Sequence, residues 1–310
     1  MEPKKYFYYY HKEDKYYIGK ELIKSSNYGR SGELLIPGHA TTIIPPEQFQ
    51  EGYIPVFDVQ NKKWDVKKDD FWRYEVIDYP DHFDDFPINQ IPQLYRFNTL
   101  GVMENDNSIR LNTVFIDIPY VVNGLLIMMR FISRINIVNM KINELYHRHN
   151  DWLTPNRIHS VDSLIGYKLV TEDIIHHLKK LLDEFIISIY IHDNYEAIKL
   201  NHKMEIDDYG ERLFATKEKP VIANLKKVIN FDKYKSFLYT VKELDNGFKH
   251  NLTPAESDHK IGLYAPTVIL YKYKHGSLKS FTKYNVYVGG LIEQFNRFFY
   301  EYMKKLSTNG

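Results

Sequence analysis

From Val121 onward, apolar residues return every three or four positions: Leu125, Met128, Ile132, Ile135, Val138, Ile142 and Leu145. No proline interrupts that run. The spacing puts these side chains on one stripe of an α-helix, and a stripe that long must be covered by other elements. Helix-on-helix packing is therefore the first constraint on the fold. Pro119 suits the first turn of this helix, which should end in the polar "HRHNDWLTPN". Ile174, Leu178, Leu181, Phe185 and Ile189 repeat the period in a second helix, with Ser160 or Asp162 as its N-cap. Pro220 opens a third, carrying Ile222, Leu225 and Ile229. Asp232 suits the cap of a fourth, carrying Tyr234, Phe237, Val241, Leu244 and Phe248. Then the period changes: "PTVILYKYKHGSLKSFTKYNVYV" reads as a hairpin turning at His275-Gly276. A last helix carries Leu291, Phe295, Phe298, Tyr302 and Leu306, and the tail "STNG" is expected to fray.

The first hundred residues read differently. "KYFYYYHKEDKYYIG" predicts two aromatic strands around a polar turn at Lys12–Asp14. The next stretch has Pro or Gly every few residues, which forbids a long helix and confines strands to short or edge positions. "YIPVFDV" and "KKWDVKK" predict two short strands with Gln60-Asn61 near the turn. "DYPDHFDDFPINQIPQLY" is an acidic, Pro-rich connector, and "RLNTVFIDIPY" is a further candidate strand. The expected fold class is α+β, mainly α: an antiparallel helical bundle with an inserted β-hairpin, plus a small β-rich N-terminal part. The expected division is residues 1–95 and 96–310, with the hairpin near 266–288.

Composition narrows the chemistry. Forty-one Lys and Arg stand against 40 Asp and Glu, a formal net charge of +1, without the basic excess of a dedicated DNA binder. Twenty-six Tyr and 18 Phe support a real core. The absence of Cys excludes disulfides, thiolate zinc sites and Cys nucleophiles. The start lacks the apolar run of a signal peptide. "YVVNGLLIMMRFISRINIV" is broken by Arg130 and Arg134 before it reaches the roughly 18 apolar residues of a membrane span. A cytoplasmic location, or alternatively a virion, is expected, with no membrane partner. "YGRSG" and "YVGGLIEQ" lack the Lys-Ser/Thr ending of a phosphate loop, and no Gly-x-Ser-x-Gly elbow occurs.

Two segments resemble known families. Residues 32–73, with "LLIPGHATTIIPPEQFQEGYIPVFDVQNKKWDVKKDD", resemble phage tail-fibre and tail-fibre-assembly proteins. The shared pattern is a strand ending in Pro, then Ala-Thr, Pro-Pro, Gly, an apolar strand, a Trp strand and an acidic turn. Phe71-Trp72-Arg73 replaces the usual His-Arg-Gly. The resemblance implies a docking module with one large buried aromatic, Trp64 or Trp72. Residues from Pro119 to Leu306 resemble a HEPN-type helical domain, a bundle of four or five helices that is often dimeric. Its RNase members carry an Arg, a polar residue and a His near the end of a core helix. In "LDNGFKH", Asn246 matches the polar residue and His250 the histidine, while Asp245 stands at the Arg position.

Metal-independent RNA cleavage needs a base and a cation near the phosphate. On a continuous helix Lys242, Asn246 and His250 share a face, while Lys249 projects about 100° from His250 and reaches the site only if Gly247 unwinds the helix. The alternative is a helix end whose Lys and His meet the dipole. His250, Asn246 and Lys249 are the catalytic candidates. Lys242, Arg148, Arg157 and His159 are candidates for nucleic-acid or partner binding, and His147 and His149 belong to the same basic inter-helix region. Glu144-Leu145-Tyr146-His147 and Asp173-Ile174-Ile175-His176 have the Glu-x-x-His spacing of bundle metal sites, but their ligand positions fall off the apolar stripes. No metal or cofactor is expected. The expected partners are a second copy of the chain, a phage or tail-related protein, or RNA. The leading expectation is a phage- or prophage-associated interaction protein with a non-catalytic bundle. The alternatives are a HEPN-type RNase in phage defence or a toxin system, and a structural tail component.

Overall fold

The computed structural model describes residues 5–12, 15–29, 31–48, 53–68, 73–79, 91–118, 121–153, 161–250, 265–274 and 277–309. The fold is α+β and mainly α, as the periodicities predict. Contacts divide the chain into two units. The smaller comprises Met1–Glu75, Pro254–Lys260 and Lys272–Thr282; the larger comprises Val76–Thr253, Ile261–Tyr271 and Lys283–Gly310.

In the smaller unit β1 (Tyr6–Tyr10) and β2 (Tyr17–Leu22) form the predicted aromatic hairpin, and β3 (Ala40–Thr41) pairs with the other edge of β1. Glu13 and Asp14 of the expected turn lie outside the described residues. The second predicted pair is β4 (Tyr53–Asp58) and β5 (Lys63–Lys68), with Phe57 opposite Trp64. The Asp58 carboxylate accepts the amides of Gln60 and Asn61, both at 3.0 Å, which closes the turn locally. The large aromatics concentrate here. Tyr10 stacks on Phe57 at 4.9 Å, and Trp64 meets Tyr17 edge-on at 5.7 Å. Phe57, rather than Trp64, is the buried ring. Trp64 is half-buried, and its indole N–H donates to the Ile43 carbonyl at 2.8 Å. Trp72 lies outside the described residues.

β6 (Arg73–Tyr79) follows, then β7 (Val102–Met103) and β8 (Asp106–Arg110), an antiparallel pair in the larger unit. "RLNTVFIDIPY" forms no long strand: Leu111–Thr113 is a 3-10 turn, and Val114, Phe115 and Ile118 turn into the core. The helices are α1 (Gly124–Leu153), α2 (Val161–Asp193), α3 (Tyr195–Asn201), α4 (Tyr209–Leu213), α5 (Pro220–Val228), α6 (Phe231–His250) and α7 (Val288–Asn309). The hairpin β9 (Thr267–Lys274) and β10 (Ser277–Tyr287) is inserted between α6 and α7, in a sheet ordered β6-β10-β9. Its predicted turn at His275-Gly276 lies outside the described residues.

α1 and α2 run antiparallel, since Arg134 meets Glu184 at 3.0 Å while Lys141 meets Asp173 at 2.9 Å. Their seam with α7 is aromatic: Phe185 lies 4.9 Å from Phe299 and 6.1 Å from Phe131. The second-helix stripe from Ile174 to Ile189 is fully buried, as predicted. The first helix differs from expectation in two ways. It begins at Gly124, where the Asp117 carboxylate accepts the Gly124 amide at 2.6 Å. A Cβ there would sit 2.4 Å from the Phe115 carbonyl oxygen, so only glycine admits this close approach. Pro119 lies outside the described residues. The inward line is Met128, Phe131, Ile135, Val138, Ile142 and Leu145; Ile132 is half-buried and Leu125 faces outward. α6 begins at Phe231, so Asp232 lies in its first turn rather than at the cap. At the C-terminus the first three residues of the "STNG" tail are helical, and Gly310 lies outside the described residues. α7 continues to Asn309, and the Ser307 hydroxyl donates to the Ser108 carbonyl at 3.0 Å.

Candidate functional site

The chemistry suggested by "LDNGFKH" depends on whether α6 unwinds at Gly247. It does not: the helix is continuous from Phe231 to His250. Asp245 is consequently held on the inward side, one turn after Val241, and is 2% exposed. A carboxylate in that position must be neutralised or hydrogen-bonded. Both happen. Lys249, one turn later, brings its ammonium to 2.5 Å from Asp245 Oδ2. His176 of α2 places Nδ1 at 3.0 Å from Asp245 Oδ1. A carboxylate only accepts, so Nδ1 carries the proton in this bond, on a ring that is partly exposed. Glu172, one turn before His176, has its carboxyl pushed up by burial and then by the charges of Asp173 and Asp245.

The expected catalytic residues are therefore distributed as follows. Lys249 is committed to Asp245 rather than presented as an independent phosphate-binding cation. Asn246 is half-buried on the next helical position. His250 is the last residue of α6, and its side chain is not among those described. Lys242 lies 3.4 Å from the Glu243 carboxylate and over the rings of Phe214 and Tyr239 at 5.4 and 5.5 Å. Arg148 forms an in-helix pair with Glu144 at 2.8 Å. Arg157 and His159 lie outside the described residues. His149 departs from the expected solvated basic cluster. It is 2% exposed, neither ring nitrogen has a hydrogen-bond partner among the described residues, and burial pushes its imidazole down to about 4.

The spacing motifs for metal are engaged elsewhere. Glu144 is held by Arg148, Asp173 by Lys141, and His176 by Asp245. Among the described residues no group of three or more His, Asp or Glu is arranged to hold a metal ion, and no helix is long and apolar enough to cross a membrane.

Sequence reasoning did not find the buried cation Lys179. Its ammonium contacts Asp183 and Asp208 at 2.8 Å each and lies 4.4 Å from the Tyr209 ring centroid. Burial raises the Asp183 carboxyl despite that cation. At Asp208 burial acts in the same upward direction, but the bond and charge of Lys179 outweigh it and the net shift is down. This cluster joins α2 to α4 and has its polar groups mutually satisfied. No signal in the sequence identified it, because the Lys–Asp spacing of one turn is the same as that of a surface pair.

No protein-family model, curated protein or solved structure matches the chain.

Two outcomes are expected. Asp245→Arg puts a second positive charge beside Lys249 at a buried position. It should lower unfolding free energy by about 3–5 kcal/mol, read by urea denaturation; an unchanged midpoint would mean the site is open to solvent. The second concerns acid. The folded pKa of His149 lies below that of a free imidazole, so the native state favours the neutral ring. Its contribution is complete above pH ~6.5 and is lost as pH falls toward 4. The loss should be on the order of 2 kcal/mol, and His149→Phe should flatten the stability–pH curve across that window.

Proposed function

We propose that this chain is a phage- or prophage-associated interaction protein, with the β-rich unit docking a partner and the HEPN-like helical unit acting as a non-catalytic binding and dimerisation domain. The observation that carries the second half is Asp245. At the position of a phosphate-meeting Arg stands a buried anion that also occupies the nearest candidate cation, Lys249. With Lys249 already neutralised by that carboxylate, the site offers a phosphate no net positive charge to collect it. Support for the first half is the tail-fibre-like pattern together with the surface that carries it. Leu35, Ile36 and Ile44 are exposed in the smaller unit, and Ile44 adjoins the residue whose carbonyl takes the Trp64 indole N–H.

One observation favours the RNase alternative. His176 is partly exposed and held through Nδ1 by a carboxylate, the arrangement that orients a general base. Incubating purified wild-type protein with structured RNA, alongside His176→Ala and His250→Ala, separates the two. The proposal predicts no cleavage above buffer background in all three. Cleavage by wild type that drops at least tenfold in either variant would replace the proposal with the nuclease reading.

A further inference from the structure

α1 is apolar on two opposite faces. One faces the core through Phe131, Ile135, Val138 and Ile142. The other is a line of Leu126, Met129, Ser133, Ile137 and Met140, spaced by three, four, four and three residues. The four apolar members are 61%, 48%, 38% and 60% exposed in that order. A helix with two apolar faces has the pattern of one packed between two neighbours. The line borders a shallow groove of about 460 Å³, lined by Leu126, Met129, Arg130, Ser133, Arg134 and Ile137.

We infer that this face pairs with the same face of a second copy of the chain, antiparallel about a twofold axis at Ser133. The inference rests on the reading of the helical unit as a binding and dimerisation domain. The spacing is palindromic about Ser133. Reversing one copy sets Leu126 against Met140 of the other, Met129 against Ile137, and Ser133 against Ser133. A twofold interface requires this self-complementarity, because each copy presents the same patch. The smallest side chain falls at the crossing, where the two backbones come nearest. The flanking charge is partly offset, since two arginines share one carboxylate and leave each copy one net positive charge at the rim. Arg130 and Arg134 both pair with Glu184 of their own chain, at 3.4 and 3.0 Å. In the reversed register Arg130 of one copy lies opposite the exposed Asn136 carboxamide of the other. The net charge of +1 adds little long-range repulsion. The line spans about 21 Å at 1.5 Å per residue. With its rim it offers on the order of 600 Å² per copy, at the lower edge of what specific interfaces bury. The dimer should therefore depend on protein concentration.

The chain contains no Cys, so a single cysteine reports the axis without background. Helix axes about 9–10 Å apart, with Cα atoms about 2.3 Å from each axis, put two facing residues roughly 4.4–5.4 Å apart, inside the Cα separation of about 4.4–6.8 Å that a disulfide spans. The test uses the full chain in sedimentation velocity and mild oxidation. Wild type should shift from monomer to dimer with concentration. Met129→Glu should stay monomeric with unchanged helix content by circular dichroism. Ser133→Cys should form a reducible disulfide dimer at least ten times faster than Ser236→Cys, a control on the exposed side of α6. A monomer at all concentrations would overturn the inference, including the case in which this face binds a different protein. So would equal rates for the two cysteine variants, or a dimer that survives Met129→Glu. A monomer without nuclease activity would leave the non-catalytic reading standing. A dimer that cleaves RNA would sink that reading and keep the interface.

Discussion

Phe131, Phe185 and Phe299 meet in one aromatic contact, and that contact sets the rotation of three long helices. With Phe131 turned inward, α1 must send Leu126, Met129 and Met140 outward. With Phe185 in the same seam, α2 carries His176 on the side that meets Asp245 of α6. A helix rotates as a unit, so placing one large ring fixes what every other position on that helix can touch. Both the polar pairing at the end of α6 and the exposed line of α1 follow from where these rings pack.

Much of the fold was legible because periodicity is a local signal. The two aromatic hairpins, the stripe of α2, the inserted hairpin and the last helix were all visible as spacing. The first helix shows where that signal fails. α1 has two lines of apolar residues at the same spacing, and periodicity alone does not say which is covered. The expected stripe matched the buried line at Met128, Ile135, Val138, Ile142 and Leu145 and departed from it at Leu125, which is exposed, and Ile132, which is half-buried beside the inward Phe131.

Contacts between distant positions were not legible. Asn139 and Asn296 each use a carboxamide to clasp the backbone of residues 93–95. Asn139 accepts the Leu94 amide at 2.8 Å and donates to its carbonyl at 3.1 Å, and Asn296 does the same for Tyr95 and Gln93 at 3.2 and 2.8 Å. Those clasps satisfy extended backbone that has no strand partner of its own there, yet an Asn within a helical pattern gives no hint of them. The candidate site was legible only in part for the same reason. "LDNGFKH" pointed to the turn of α6 where Asp245 pairs with Lys249, and it placed an acid where the resemblance expects an Arg. It did not show that His176, 69 residues earlier, completes the site. Nor did it show that the carboxylate is structural.

The central claim is that the last turns of α6 are locked into the core by Asp245 and do not form an open catalytic end. Native-state amide hydrogen exchange reads this directly. The account predicts that the amides from Asp245 to Phe248 exchange as slowly as those around Phe237 and Val241, and that they speed up together when Asp245 is replaced by Ala. Exchange in wild type as fast as in a frayed terminus would contradict it, because an end that opens freely is not held by a buried carboxylate.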